Sequence, residues 1–225
     1  MPFTTPPFRD RFDAGTILAE RLRRYPVGDA VVLAVPRGGV PVAAVVARTL
    51  GIPLDIIVSR KIPIPSDPEA GYGAVAEDGA IVLNTPLVQR LRLTGQQIER
   101  HAEAVRAEIR RRQSVFRSIL PASPVEGRTA IVVDDGLASG YTMMAAVQSI
   151  RQRGAARVIA AAPVASLGAA ESLKAVADEV VAAVVSPHYP FAVASFYEHW
   201  HDPTDEEVLK ELERYTEDSG GRGDD

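Results

Sequence analysis

The sequence predicts an α/β fold: a doubly wound parallel sheet of about five strands, with helices on both faces. Two observations support this prediction. The chain contains five short apolar runs without the polar alternation of half-exposed strands, which is typical of strands covered on both faces. Helical patterns separate most of these runs, and such alternation favours parallel strands joined by right-handed crossovers. The runs are 31–35, 54–58, 130–133, 158–162 and 180–185.

The spacing of apolar residues and the residues typical of helix ends indicate where the helices lie. The clearest helix begins at a capping box, in which Thr94 and Gln97 satisfy each other's backbone groups. Apolar side chains then recur at helical intervals up to Phe116, with arginines on the other side. Further helices are predicted over 40–50, 141–153, 166–177 and 205–215, and near the N-terminus at about 9–22.

Length and composition indicate one domain. A chain of 225 residues with 46% hydrophobic content can bury a full core, and we predict a single domain over 1–215. Residues 216–225 are polar and glycine-rich, so a disordered tail is expected there. The N-terminal helix, the segment 186–202, or both are expected to form a hood over a ligand.

One connection is unusually long for a compact domain. Residues 62–78 contain three prolines and two glycines and show no helical period. Connections of this length are usually functional lids or disordered segments, so we predict a flexible lid over about 60–80. Tyr72, between two glycines, either reaches into the site or is a hairpin tyrosine without a ligand.

The amino-acid composition indicates which kinds of binding partner to expect. The net charge of −4 and the pI near 5.6 do not favour binding to a nucleic acid or an anionic membrane. The chain has no cysteine, which excludes disulfides, thiol nucleophiles and cysteine metal sites. The N-terminus does not resemble a secretory signal, and no apolar run approaches the roughly 18 residues of a membrane span. A cytoplasmic protein that binds small molecules is therefore expected.

The most informative segment is 130–144, AIVVDDGLASGYTMM, in which an apolar strand delivers two aspartates and a loop of small residues to a helix. Gly140 permits backbone angles closed to other residues, and the following helix directs free amides and a positive dipole end at an anion. Ser139 and Thr142 add hydroxyl donors. The alternative is that Asp135 and Ser139 only cap and turn the helix.

Two further polar loops follow strands directly, at 36–39 and 59–61. Because the carboxyl ends of parallel strands share one edge of the sheet, all three loops should converge on one site. Arg37 would bring a permanent planar charge, and glycines 38 and 39 would allow a ligand to approach the backbone. A commonplace strand-to-helix turn and a solvated basic turn are the competing interpretations.

Segment 130–144 resembles the phosphoribosyl diphosphate (PRPP) signature of the type I phosphoribosyltransferases. The resemblance implies that Asp134 and Asp135 hold the ribose hydroxyls and help to place Mg2+. It implies that the loop after them cradles the 5-phosphate. The residues of this phosphate loop are Ala138, Ser139, Gly140, Tyr141 and Thr142.

The same resemblance assigns the other two loops. Residues 36–39 resemble the pyrophosphate loop, with Gly38 and Gly39 giving close backbone approach. Arg60 and Lys61 resemble a basic pair that adds charge for pyrophosphate. Arg37 and Lys61, which would stabilise the leaving group, are the residues nearest to a catalytic role, and no general base can be assigned.

The segment after the last strand, 186–202, is rich in aromatic residues. It resembles the base pocket of purine-type members, with Phe191 as the ring that stacks on the base and Glu198 as an acid that touches metal-bound water. Packing in the core or at a dimer interface is the alternative, and a homodimer is expected. The histidines of this segment are better explained as surface or hydrogen-bonded residues than as metal ligands.

The resemblance implies a Mg2+-dependent enzyme that transfers the phosphoribosyl group of PRPP to a nitrogenous base and releases pyrophosphate. A regulator that binds PRPP or a nucleotide without transferring anything is the alternative. Hypoxanthine and guanine enzymes carry an aspartate where this chain has Ala138. A 6-oxopurine acceptor is therefore disfavoured, and the residues do not name the base.

Overall fold

The computed structural model describes residues 6–26, 28–65 and 67–220. The strands are β1 Ala30–Ala34, β2 Leu54–Ile56, β3 Ser59–Ile64, β4 Asp67–Ala76, β5 Ile81–Leu83, β6 Thr129–Val133, β7 Arg157–Ser166 and β8 Glu179–Ser186. The α-helices are α1 Arg11–Leu22, α2 Gly39–Leu50, α3 Thr85–Arg90, α4 Gly95–Arg117, α5 Tyr141–Gln152, α6 Leu167–Leu173 and α7 Asp205–Gly220. A short 3-10 helix spans Val193–Phe196.

The five predicted strands form one parallel sheet in the order β2-β1-β6-β7-β8. Both faces are covered, because alternate residues of β1 enter two different cores. Val32 and Ala34 pack in the core that includes α1, α2, α4 and α7, whereas Val31 and Leu33 pack with α5 and α6. The predicted doubly wound α/β architecture is confirmed.

The winding direction reverses between β1 and β6. From β1 the chain first moves outward to β2 and later returns to place β6 on the opposite side of β1. In open parallel sheets, ligands bind beyond the carboxyl ends of the strands at such a reversal. The loops that follow β1 and β6, 36–39 and 134–140, therefore flank the expected ligand position.

The predicted lid is not an irregular loop. Strands β3, β4 and β5 form a second, antiparallel sheet of three strands, so most of the segment predicted as a lid loop, 60–80, consists of paired strands. Prolines argue against strands because they cannot donate to a ladder. Here the pairing shifts register on both sides of Pro63, and the hairpin tolerates it.

Tyr72 belongs to the core of this small sheet. It is fully buried, and its hydroxyl lies 2.8 Å from Nδ1 of His101 in α4. The hairpin interpretation of Tyr72 is therefore the one that the structure supports, and its side chain does not reach the ligand site.

Helix α4 confirms the predicted capping box. The Gln97 amide donates to the Thr94 hydroxyl, and the Thr94 amide donates to the Gln97 side chain at 2.9 Å. Its apolar side chains at 102, 105, 109 and 116 are buried.

Helix α7 is longer than predicted. It continues past Tyr215 to Gly220, so residues 216–220 are helical and not part of a disordered tail. The Tyr215 hydroxyl accepts a hydrogen bond from the Leu54 amide at 3.0 Å, and Arg48 lies 3.2 Å from Asp218, so tertiary contacts extend the helix. Residues 221–225 lie outside the described part of the chain. None of the helices in the described ranges combines the length and the apolar character that a bilayer span requires.

Candidate active site

A cavity of about 720 Å³ lies at the carboxyl edge of the sheet. Three walls enclose it: the loop after β6 with the start of α5, the small sheet, and the loops after β7 and β8. The lining residues that the sequence predicted are Lys61, Asp134, Ala138, Ser139, Gly140, Thr142 and Phe191. The volume is within the usual range for a small-molecule site.

The phosphate loop is fixed to the neighbouring strand. The Leu137 amide donates to the carbonyl of Val164 at 2.8 Å, and the Ser166 hydroxyl donates to the carbonyl of Ala138 at 2.7 Å. Because β7 holds the loop from behind, its other side is presented to the cavity.

Gly140 adopts the backbone conformation that the sequence predicted, with φ of 80°. It caps α5, whose first backbone bond runs from the Met144 amide to the Gly140 carbonyl at 2.8 Å. The amides of residues 141–143 precede this bond and have no acceptor within the helix. Beside the hydroxyls of Ser139 and Thr142, they form an arrangement that suits a phosphate.

The Tyr141 side chain lies away from this wall. It packs against the small sheet, in a cluster with Ala74, Ala76 and Ala145, and it does not line the cavity. Burial raises the pKa of its phenol.

The two aspartates face different surroundings. Asp134 lines the cavity, and its Oδ1 accepts a hydrogen bond from the Asp135 amide at 2.8 Å. Burial and the charge of Asp135 raise the pKa of Asp134 well above its usual range. Asp134 is therefore a carboxylate that a bound cation or hydroxyl donors would stabilise.

Asp135 is turned toward α1 and bound to Arg11. The Arg11 Nε and Nη2 atoms lie 2.9 and 2.7 Å from Oδ2 of Asp135, and Asp135 is not among the cavity-lining residues. Burial raises the pKa of Asp135, and the Arg11 charge acts in the opposite direction. The Tyr197 hydroxyl also donates to the backbone carbonyl of Asp135 at 2.6 Å.

The loop after β1 lies against the aspartate pair. A Cβ atom on Gly38 would overlap the Asp135 carboxylate, and one on Gly39 would lie 2.6 Å from the Val133 carbonyl oxygen. The peptide bond between Pro36 and Arg37 is cis. The two glycines are thus required by the strand beside them.

Arg37 is not found at the cavity. Its Nη1 lies 3.5 Å from Oδ1 of Asp205, the first residue of α7. Arg111 and Arg112 also approach Asp205, at 2.8 and 3.9 Å, so an acidic helix start holds all three guanidinium groups.

The predicted basic pair is divided by the alternation of β3. Lys61 lines the cavity, whereas Arg60 points toward α4 and lies 3.1 Å from Glu108. Burial and the nearby charge of Arg112 lower the pKa of Arg60. A hydrogen bond of 3.0 Å from the Ser59 hydroxyl to the Thr142 carbonyl joins this strand to the phosphate loop.

The aromatic segment mostly forms core. Phe196 and Tyr197 are buried with Phe8, and Phe191 packs on Phe196 with ring centres 5.3 Å apart while lining the cavity. Glu198 is exposed and outside the cavity lining, because Tyr197 before it is extended and turns its own ring inward. The structure does not bring Glu198 to the predicted metal site. The described residues contain no cluster of three His, Cys, Asp or Glu side chains that could hold a metal ion.

Comparison with known proteins assigns the family. Residues 10–194 match the family model of the phosphoribosyl transferase domain. The chain belongs to the phosphoribosyltransferase family. The resemblance in segment 130–144 is thereby confirmed.

The relatives of this phosphoribosyltransferase domain include proteins from Thermus thermophilus and Mycobacterium tuberculosis. The protein TT1426 of Thermus thermophilus has a crystal structure that is 42% identical, with a TM-score of 0.76 over 92% of this chain and 98% of that chain. Two Mycobacterium tuberculosis proteins, provisionally named phosphoribosyl transferases, are 39% identical over 96% of this chain. The chain spans about half of their length, 48%.

The surroundings of the phosphoribosyltransferase aspartate pair were not predicted from the sequence. The sequence predicts an N-terminal helix that contributes to a hood, but not that Arg11 and Tyr197 bind Asp135. A signal was present: Arg11 stands on the same helical stripe as Ala14, Leu18 and Leu22, all of which are buried. A charged residue on an apolar stripe requires a buried partner.

Proposed function

We propose that this chain transfers the phosphoribosyl group of PRPP to a nitrogenous base and releases pyrophosphate. The observation that carries the proposal is that one cavity joins the phosphate loop, the Asp134 carboxylate and Lys61. These groups match the three parts of the donor: its phosphate, its ribose hydroxyls and its leaving group.

The donor's 5-phosphate would occupy the loop before α5. Backbone amides, the Ser139 and Thr142 hydroxyls and the helix dipole all favour a dianion there. Asp134 would accept hydrogen bonds from the vicinal ribose hydroxyls, which are paired donors.

The aspartate pair also fits Mg2+ held together with the donor. Arg11 binds Asp135, yet the pKa of Asp134 remains raised by burial and by its neighbour's charge, so a cation would relieve this carboxylate. Mg2+ prefers oxygen ligands and often binds through one or two carboxylates plus substrate phosphates. When bound, the ion would neutralise charge on the pyrophosphate.

Lys61 would stabilise the departing pyrophosphate. It lines the cavity on the small sheet, opposite the wall formed by the phosphate loop, whereas Arg37 is held at Asp205. Positioning and electrostatic stabilisation would supply the rate enhancement, without a covalent nucleophile. The small sheet would exclude water from the positively charged sugar as it forms.

The part of the cavity where the base would bind supports an enzyme better than a regulator. Beyond the phosphate loop the cavity continues to Ser186, His188 and Phe191, so aromatic side chains do not block it. Phe191 would stack on the incoming base, and the absence of an acid at Ala138 argues against a 6-oxopurine.

Calorimetry with PRPP and Mg2+ tests the donor half, and pyrophosphate release across a panel of bases tests transfer. We expect PRPP binding that depends on Mg2+, and release with at least one base. Absence of PRPP binding would overturn the proposal. Binding without release for every base would instead support the regulator.

A further inference from the structure

The Arg11 guanidinium is buried, and each of its three nitrogen atoms has a partner in the protein. The side chain is 6% exposed, and two of its nitrogen atoms reach the same oxygen of Asp135. The third, Nη1, donates to the His201 carbonyl at 2.7 Å. The guanidinium carbon lies 3.9 Å from the centre of the Trp200 ring, within the range of a cation–π contact.

The oxygen that Arg11 binds is also the one that faces the loop after β1. Oδ2 of Asp135 is the atom nearest to a Cβ position on Gly38. Arg11, Asp135 and Gly38 therefore form a continuous series of contacts, from the N-terminal helix through the end of β6 to the predicted pyrophosphate loop.

The same arginine attaches the hood to the sheet. Residues 197–201 contribute the Tyr197 hydroxyl on the Asp135 carbonyl, the Trp200 ring and the His201 carbonyl. Tyr197 in turn packs on Phe8, with ring centres 5.4 Å apart. A substitution of Arg11 would therefore disturb both the hood and the aspartate pair.

Resting on the proposed function, we propose that Arg11 is a positioning residue of the donor site. It holds the Asp135 carboxylate against Gly38 and beside Asp134, so that the acid pair and the loop after β1 keep the arrangement that receives the donor.

The physical reason is the cost of an unpaired buried charge. Without Arg11, Asp135 would stay buried beside Asp134 with no cation bound to it, which is strongly unfavourable. The carboxylate would turn toward water in the cavity or displace the loop, and either movement would disturb the donor site.

A double-mutant cycle on PRPP affinity tests this inference. Arg11→Gln, Asp135→Asn and the double variant are compared with the wild-type chain by calorimetry with PRPP and Mg2+. We expect each single change to weaken binding about tenfold, and the double change to weaken it no further, because contacting residues couple strongly. Additive losses, or unchanged affinity in Arg11→Gln, would overturn the inference.

Arg48→Gln is the matched control. Arg48 lies 2.8 Å from Glu211 and 5.6 Å from the Tyr215 ring centre, a similar pairing about 14 Å along α2 from Gly39. The Arg48→Gln variant should have a lower melting temperature and an unchanged affinity for PRPP. A loss of affinity in this control equal to that in Arg11→Gln would show that the effect is one of general stability.

Arg11→Lys covers the case in which the glutamine variant does not fold. Lysine keeps the charge but cannot bind Asp135 and the His201 carbonyl in the fork geometry of arginine. We expect a folded protein with affinity several-fold below wild type and an unchanged kcat at saturating PRPP. Wild-type affinity in Arg11→Lys would overturn the inference, whereas a wild-type chain that does not bind PRPP would refute the proposed function itself.

Discussion

Gly38 lies against the carboxylate of Asp135 so closely that a single methyl group on its Cα would overlap Oδ2. The backbone of Gly38 is ordinary, with φ of −58°, so this glycine is needed for space and not for an unusual conformation. The loop after β1 and the end of β6 are therefore fitted to each other at the point where the winding of the sheet reverses.

The first prediction concerns this fit. Gly38→Ala should cost about 2 kcal/mol of unfolding free energy because the inserted methyl forces the loop and Asp135 apart. PRPP affinity should fall with it, by about tenfold. Denaturant unfolding and calorimetry measure the two effects.

Gly95→Ala provides the control for that substitution. Nothing lies within 4 Å of a Cβ atom there, and the residue opens α4, so alanine should be neutral or slightly stabilising. A Gly38→Ala variant as stable as Gly95→Ala would show that the loop adapts freely.

The second prediction separates stability from binding at Asp134. A raised folded pKa means that the native state binds more protons than the unfolded state, so stability falls as pH rises above the usual aspartate pKa of 3.8. Asp134→Asn should therefore raise the melting temperature at pH 7, and the gain should vanish at acid pH. PRPP binding should be lost. A lower melting temperature at pH 7 would contradict this prediction.

The third prediction concerns Lys61. If it stabilises the leaving group, Lys61→Met should reduce kcat for pyrophosphate release about 100-fold with a smaller effect on PRPP affinity. Lys174→Met, at an exposed lysine paired with Glu171, is the control and should leave turnover unchanged. Equal kcat values in the two variants would show that Lys61 does not stabilise the leaving group.

The fourth prediction uses the charged cluster between α4 and α7. The hydrogen bond from Arg111, with a further one from Arg112, lowers the pKa of Glu108 to about 2. Since its folded pKa is depressed, the stability that Glu108 contributes is present above about pH 4.5 and is lost as pH falls toward 2.

Glu108→Gln should accordingly cost about 1 kcal/mol at pH 7, given partial solvent screening, and progressively less below pH 4.5. Urea midpoints of the two proteins across this range provide the measurement. A cost that does not change between pH 7 and pH 3 would indicate that packing, and not charge, is lost.

Much of the fold follows from local pattern. The five central strands are apolar throughout because helices cover both of their faces, and this makes them conspicuous in the sequence. The capping box of Thr94 and Gln97 is equally local. The small sheet was not predicted because the prolines around its hairpin are typical of a loop. Its strands are stabilised by contacts with residues distant in sequence, such as that of Tyr72 with His101.

The donor half of the site could be predicted for a similar reason. Strand, acid pair, Gly140 and helix start are contiguous, so their geometry is fixed within one segment. Side-chain direction was harder to predict, because Arg37 and Arg60 are drawn away by Asp205 and Glu108, which are distant in sequence. The partner of Asp135 was missed for the same reason, although its position on the apolar stripe of α1 was visible.

Helix α7 lies outside the region that defines the family, since the match ends at residue 194. Its first residue nevertheless holds Arg37 of the loop after β1, and its Tyr215 hydroxyl bonds the edge strand at Leu54. Excising residues 10–194 alone would therefore release the loop and uncover the sheet edge. A chain cut before α7 should accordingly be less stable than one that keeps this helix.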